Sequence, residues 1–329
     1  MIQPPRSLWW DTRGDDVALR PSLSGHLDVD VVIVGGGFTG LWTARELLER
    51  EPTLRIAVLE SSVCGFGASG RNGGWASALF PVSDDVLAKR YGDDTVTQIH
   101  QQLIAAVTNL GAAFQRDHID ANFVAGGTLT FATTEPQEHR LRAAASSAAE
   151  RGFAAEAQWL SADAASERAR VANSRGALYT PYCARIHPAK AVRGLAQAVE
   201  GAGGVIYENT RVTRIEPSTS RRRPRAVTVG GTVSADFVVR ATEAFTTNLP
   251  GERRTVAPIY SLMIATEPQS DAFWSRHGFA GRETFADDRH LIIYGQRTDD
   301  GRIAFGGRGA PYHFGSSVEP RFDQSPRVF

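Results

Sequence analysis

The sequence has little cysteine: two residues in 329, Cys64 and Cys183. That excludes a disulfide framework and a four-cysteine zinc site, and makes a reduced, cytoplasmic setting the expectation. It has no excess of either charge. Lys and Arg together number 36, and so do Asp and Glu, which leaves no electrostatic footprint for nucleic acid or an anionic membrane surface. It has no long apolar run. The strongest, Val29 to Leu41, is interrupted by Gly35, Gly36, Gly37 and Gly40 and is too short to span a bilayer. The first thirty residues carry Pro4, Pro5 and several charges in place of an apolar signal core, so a soluble protein is expected. There is no internal repeat, no Ser–His–Asp order that would indicate a hydrolase, and no metal-ligand cluster.

What is present is material for a full-sized core. Hydrophobic residues make up 42% of a chain long enough for two domains. Residues 1–28 read as a polar arm that Trp9 and Trp10 tack onto the body. Val29 to Val34 is a β-branched run of the kind that forms a strand buried on both faces. Residues 38–51 follow with helical spacing, Leu41, Ala44, Leu47 and Leu48 on one face, and Pro52 ends the helix. Arg55 to Glu60 is a second buried strand, completing one right-handed crossover unit. Gly65 to Gly74 must be a loop. Helices are expected over 84–120, 135–151, 161–169 and 189–199, the last opened by Pro188. Strands are expected within 122–133, at Val205 to Glu208, Arg211 to Glu216, Ala226 to Val229 and Val233 to Ala241. Three more follow at Val256 to Thr266, Leu291 to Arg297 and Arg302 to Phe305, the last two joined by a turn at Asp299-Asp300-Gly301.

The chemistry is carried by Gly35-x-Gly37-x-x-Gly40. In a chain with 32 glycines the spacing alone is weak evidence. Here it follows a buried strand, opens a helix, and is followed by an acid, Glu60, at the end of the next strand. Gly35 makes the tight turn, Gly37 lets a pyrophosphate approach the backbone, and Gly40 lets helix and strand pack closely. The phosphates then meet uncapped N–H groups at the positive end of the helix dipole. Glu60 suits ribose hydroxyls and repels a 2′-phosphate, which disfavours NADP. FAD and NAD share this unit. The second glycine-rich stretch, Gly67-Ala68-Ser69-Gly70-Arg71-Asn72-Gly73-Gly74, favours FAD, because it lets the backbone run along a flat, extended ligand. In it Ser69 can donate to a phosphate and Asn72 can bond the cofactor's polar edge.

The segments Asp30–Glu60 and Gly67–Gly74 resemble the D-amino-acid oxidase/glycine oxidase family of FAD-dependent oxidoreductases, and within it the gamma-glutamylputrescine oxidase branch. The likeness returns at His187-Pro188-Ala189-Lys190, Arg193-Gly194-Leu195, Tyr207 to Val212, Val238 to Thr247 and Ala304 to Gly309. The resemblance implies an α/β fold: a Rossmann-like FAD-binding domain (1–82 and 185–250) interleaved with an α+β substrate domain built on a β-sheet (83–184 and 251–329). It implies a cofactor site of Gly35, Gly37, Phe38, Thr39, Gly40, Glu60, Ser61, Ser69, Arg71, Asn72, Gly73, Gly74, Val212, Ala241 and Thr242. In it Val212 lies on the adenine, Ala241-Thr242 pass near the pyrophosphate, and Arg71 to Gly74 run beside the flavin. It also implies an oxidase of an amine or amino acid: hydride passes from the α-carbon to flavin N5, oxygen reoxidises the flavin to give hydrogen peroxide, and the imine hydrolyses in water. No catalytic side chain is identified.

Two departures weaken the carry-over. Arg240 stands where an apolar residue is usual, and Glu243 where Asn is common. Relatives also continue past this point with a last strand, a glycine-rich turn and a helix that close over the flavin. The chain ends at Pro326 to Phe329, so it is expected to be truncated, a fragment or part of a split protein. A weakly FAD-binding, non-catalytic chain is the rival reading, and an NAD-linked dehydrogenase the third. Several other residues have bland readings that outweigh the functional ones. His187 reads as a helix end and not a catalytic base, and Cys64 as packing and not a covalent flavin anchor. His290 and Tyr260 read as surface or core, and Arg221 to Arg225 as a solvated loop.

Overall fold

The structure is a computed structural model that describes residues 7–14, 19–307 and 312–319. Pro4 and Pro5, Arg308-Gly309 and the terminal Pro326 to Phe329 lie outside those residues.

The β-branched run folds as expected. Strand Val31–Val34 is buried throughout and pairs in parallel with Ile56–Leu59. Phe237–Arg240 adds on one side and Val205–Tyr207 on the other, giving a four-stranded parallel sheet. One face of this sheet carries Val31, Ile33, Ile56 and Val58. They pack against Leu41, Ala44 and Leu48 of helix Phe38–Arg50 and against Val192, Leu195 and Val199 of helix Pro188–Gly201. The opposite face carries Val32, Val34, Ala57 and Leu59. These meet a second sheet of Gly25–Asp28, Gly231–Ser234, Arg225–Thr228 and Val212–Glu216. Alternate side chains of each strand thus serve two cores, which is why both strands read as unbroken apolar runs.

A seven-stranded sheet forms the other half. Its order is Leu262–Ala265, Ile303–Gly307, Ile293–Arg297, Thr284–Asp287, Thr128–Ala132, Gly176–Thr180 and Gln158–Ser161. Leu129, Phe131 and Ala177 on one face pack against Ala165 and Trp274 from helices Ala162–Arg168 and Asp271–His277. Helices Asp84–Tyr91, Asp93–Arg116 and Glu135–Glu150 fall within the spans the sequence marks out.

Three sequence readings need correction. Val233 to Ala241 is not one buried strand. It divides at Ala235 and Asp236, whose N–H groups bond Pro224 and Asp30, so its two halves enter different sheets. The second half is an outer strand with Phe237 69% exposed. Arg240 is therefore at the surface, paired with Glu252 at 2.5 Å, and the cost of a buried charge does not arise. Val256 to Thr266 is strand only over Leu262–Ala265, because Pro258 has no N–H to give a ladder. Within 122–133 only Thr128–Ala132 is strand, with a single bridge at Val124.

The arm is held down. Trp9 and Trp10 are buried with Val63, Ala189 and Ala304, and the Trp9 indole donates to the Asn72 carbonyl at 2.8 Å. Further along, Arg20 meets Glu208, whose side chain is 1% exposed. Glu208 accepts from the Cys64 N–H at 2.8 Å, from Arg193 at 2.6 Å, and from Arg20 through its backbone at 3.2 Å and its guanidinium at 3.1 Å. Burial alone would raise the Glu208 pKa. The two N–H donors and two arginines overcome it and hold the carboxyl below its ordinary value. The arginine run at 221–225 is a solvated hairpin loop. Arg222 and Arg225 pair with Glu216, and Arg223 with Asp236 and Asp28.

Replacing Glu208 with Gln removes a buried charge that Arg193 and Arg20 share, Arg20 also pairing with Glu200, and is expected to cost about 3 kcal/mol, measured by urea unfolding. A loss below about 1 kcal/mol would show that the cluster is not under that constraint. Stability should also fall with acid in two stages. His187 is buried and its pKa is lowered from 6.5 to about 4, so its contribution is complete above about 6.5 and is lost as pH falls toward 4. The ionised Glu208 adds a further loss as pH drops below the ordinary carboxylate value of 4.5. Denaturation midpoints from pH 7 to about 3 check this, and His187→Asn should flatten the upper stage.

Candidate cofactor site

The turn after strand Val31–Val34 is built without side chains because there is no room for them. Gly35 has φ 116°, and a Cβ there would lie 2.3 Å from the Ala241 carbonyl oxygen. At Gly40 a Cβ would come 2.1 Å from the Gly35 oxygen, so the helix start sits directly on the turn. Gly37 is the helix N-cap and offers no capping side chain. The Phe38 N–H is taken by Ser69 Oγ at 2.9 Å, so Ser69 accepts from the helix terminus and stands over it. The rest of that terminus faces a cleft of about 340 Å³.

Glu60 ends strand Ile56–Leu59 at the cleft wall. Its carboxylate accepts from the Gly36 N–H at 2.8 Å, the Ser62 N–H at 2.9 Å and Ser61 Oγ at 3.1 Å. Burial raises its pKa, and the nearby Glu208 charge adds to the rise, while these hydrogen bonds oppose it. Opposite, the cleft is closed by Val212 and by the turn Glu243–Asn248 that follows strand Phe237–Arg240.

Of the fifteen residues read from the sequence, eight line this cleft: Gly35, Gly37, Glu60, Ser61, Ser69, Val212, Ala241 and Thr242. Phe38, Thr39 and Gly40 form the helix start behind it. Arg71, Asn72, Gly73 and Gly74 lie on the far arm of the loop. The Asn72 amide donates to the Ala68 and Ser69 carbonyls and accepts from the Gly74 N–H at 2.8 Å, so its polar atoms are spent inside the loop. Arg71 stacks on Phe66. Gly73 and Gly74 dock on the seven-stranded sheet, where Gln296 Nε2 donates to both carbonyls at 2.9 Å. A Cβ on Gly73 would meet the Tyr294 ring at 2.8 Å. The loop therefore spans from the cleft to the other half of the molecule.

Sequence reasoning missed part of the lining. Phe66, Phe245 and Leu249 supply apolar wall, and Arg211 is a cation at the cleft. Arg211 and Phe245 fall inside segments that already carried the family resemblance, which was the available signal. Glu243 also lines the cleft, with φ 43°. The remaining candidates have ordinary surroundings. His187 caps helix Pro188–Gly201, its Nδ1 accepting from the Lys190 N–H at 3.2 Å. Cys64 is fully buried, and burial pushes its thiol well above the usual range. His290 is exposed at a bend, and the Tyr260 hydroxyl accepts from the Glu319 N–H. Among the described residues no group of three or more His, Cys, Asp or Glu could hold a metal ion, and no helix is long and apolar enough to cross a membrane.

The residues present fit FAD. The turn excludes side chains, the helix start is uncapped by Gly37, an acid stands at the second strand end, and apolar walls flank both. Comparison with known proteins agrees. The family model described as FAD dependent oxidoreductase matches residues 30–327. Gamma-glutamylputrescine oxidoreductase of Escherichia coli is 32% identical over 87% of this chain and 66% of its own length. Glycine oxidase of Geobacillus kaustophilus is 30% identical over 67% of this chain and 56% of its own. The crystal structure of the latter superposes with a TM-score of 0.65 at 25% identity, covering 88% of this chain and 73% of that one. L-proline dehydrogenase from P. horikoshii, at 18% identity, shares the fold with a TM-score of 0.67. The chain spans about two thirds of the length of the first of these relatives. With the glycine turn, the acid and the cleft in place, the match over residues 30–327 establishes that this chain belongs to the D-amino-acid-oxidase-type family of FAD-dependent oxidoreductases.

Proposed function

We propose that this protein oxidises an amine or amino acid with FAD and oxygen, in the cytoplasm. The observation that carries the reading is the joined geometry of the Gly35–Gly40 turn, Glu60 and the cleft between them, in a chain whose relatives include gamma-glutamylputrescine oxidoreductase and glycine oxidase. FAD, when bound, would supply the chemistry: a hydride acceptor for the substrate's α-carbon and a route for the electron pair to oxygen, giving hydrogen peroxide and an imine that would hydrolyse in water.

The chain's own residues have the following parts in this proposal. Gly35 and Gly37 leave the backbone open to the pyrophosphate, and the start of helix Phe38–Arg50, at Phe38 and Thr39, directs its dipole there. Gly40 keeps that helix seated. Glu60, with Ser61 beside it, accepts from the ribose hydroxyls. Arg211 offsets the acidic groups Glu60 and Glu243 near a doubly charged pyrophosphate. Val212 packs on the adenine, and Ala241-Thr242 shape the wall near the phosphates. Ser69 orders the helix start. Arg71, Asn72, Gly73 and Gly74 form the stretch beside the flavin, held by Gln296 against the seven-stranded sheet. Residues 1–82 and 185–250 make the cofactor domain, and 83–184 and 251–329 the substrate domain. The amine needs to arrive with a neutral nitrogen, and no catalytic acid or base is assigned.

Glu60→Ala should weaken FAD binding by roughly 1–3 kcal/mol, the scale for losing charge-assisted hydrogen bonds. Because the Glu60 pKa is raised, FAD retention should also fall with acid at a pH above the ordinary carboxylate value of 4.5. Fluorescence titration with FAD checks both. Tight NADP binding with no flavin would overturn the cofactor assignment. Gly37→Val should purify colourless with its circular dichroism intact, since the added Cβ lies 2.9 Å from Ser69 Oγ and its branches crowd the backbone that the pyrophosphate approaches; a yellow protein would refute the turn's role. Peroxide release with a panel of amines and amino acids tests the reaction. Flavin bound without any amine-dependent peroxide would favour the non-catalytic reading.

A further inference from the structure

Away from the cleft, three arginines converge on the turn between strands Ile293–Arg297 and Ile303–Gly307. Arg185 ends strand Cys183–Arg185 and its side chain is only 4% exposed. Its Nη2 bonds the Asp299 carboxylate at 2.9 Å, and its Nε is buried without a partner. Arg282 holds a left-handed backbone, φ 58°, and its Nη1 donates to the Thr298 carbonyl at 2.9 Å. Arg297 adjoins Thr298. Its guanidinium lies 4.3 Å over the Trp274 ring, and its Nε is likewise buried without a partner.

The three feel one another. Burial and the Arg282 charge hold Arg185 below its ordinary value; burial, Arg282 and Arg185 do the same to Arg297. The acids nearby do not balance them. Glu283, next to Arg282, gives one oxygen to Arg168 at 3.4 Å and keeps the other buried without a partner, and Asp300 pairs with Arg302. Asp271 acts on Arg297 only at longer range. Asp299 is the contacting carboxylate, and it is 60% exposed. None of the three arginines lines the cofactor cleft.

Gathering like charges around a buried guanidinium is costly unless an anion answers them. Guanidinium forks match carboxylate and phosphate oxygens. We propose that Arg185, Arg282 and Arg297 form a binding site for a small oxyanion of two negative charges, seated beside Asp299 and taking the unspent Nε donors of Arg185 and Arg297. The site is separate from the cofactor cleft and does not depend on the oxidase reading.

The test is calorimetry on the purified chain with saturating FAD, which keeps the cleft occupied. Sodium phosphate and sodium succinate are titrated separately at an ionic strength held constant with sodium chloride. Saturable binding is expected for at least one of them. Response to phosphate alone assigns the phosphate class, and response to succinate alone the carboxylate class. Arg282→Gln and, separately, Arg297→Gln should each weaken that binding about tenfold or more, the scale of one lost charge-assisted bond. Both variants should keep the flavin spectrum of the parent. No saturable binding of either anion, or binding unchanged in both variants, would overturn the proposal.

Discussion

The carboxylate of Glu208 is the constraint on which much of the molecule depends. It is an ion in the core, and every element that gives it a hydrogen bond is fixed by doing so. Arg20 brings the N-terminal arm, the Cys64 N–H brings the loop after Glu60, Arg193 brings helix Pro188–Gly201, and Glu208 itself follows strand Val205–Tyr207. An apolar contact would tolerate sliding; a buried charge with directional donors does not. The loop it holds is the one that leads into the glycine-rich arm of the cofactor site.

The same cluster reaches the cofactor acid electrostatically. Glu60 and Glu208 lie close enough that the charge on Glu208 helps raise the pKa of Glu60. One carboxylate is stabilised by arginines so that it can be structural. The other is left to backbone N–H groups and Ser61, partners that a ligand hydroxyl can supplement without breaking an ion pair. Placing the two side by side separates their roles by environment and not by residue type.

The local part of this design was legible in the sequence. Strand, glycine turn, helix, strand and acid lie within about thirty residues, and steric demands at Gly35, Gly37 and Gly40 translate directly into spacing. Long-range features were not. Nothing near Glu208 in the chain marks it as the centre of an ion cluster, because its partners stand at 20, 64 and 193. Val233 to Ala241 reads as one apolar run, yet Ala235 and Asp236 turn the chain from one sheet to the next. Asn72 looked ligand-facing on composition, but its amide closes the loop on itself. The cleft walls from Phe245 and Leu249 depend on where the turn at Glu243–Asn248 folds back, which no local pattern specifies.

The parallel sheet has a consequence for the growing chain. Its two central strands are complete by Leu59, but their neighbours are Val205–Tyr207 and Phe237–Arg240. At ribosomal rates of about 5–20 residues per second, on the order of ten seconds or more separates the two. Through that interval Val32, Val34, Ala57 and Leu59 lack most of the second sheet that covers them, and both strands lack their outer neighbours. An apolar sheet face and two unpaired strand edges therefore stay open until the later strands emerge, and slower elongation between residues 60 and 205 would lengthen that exposure.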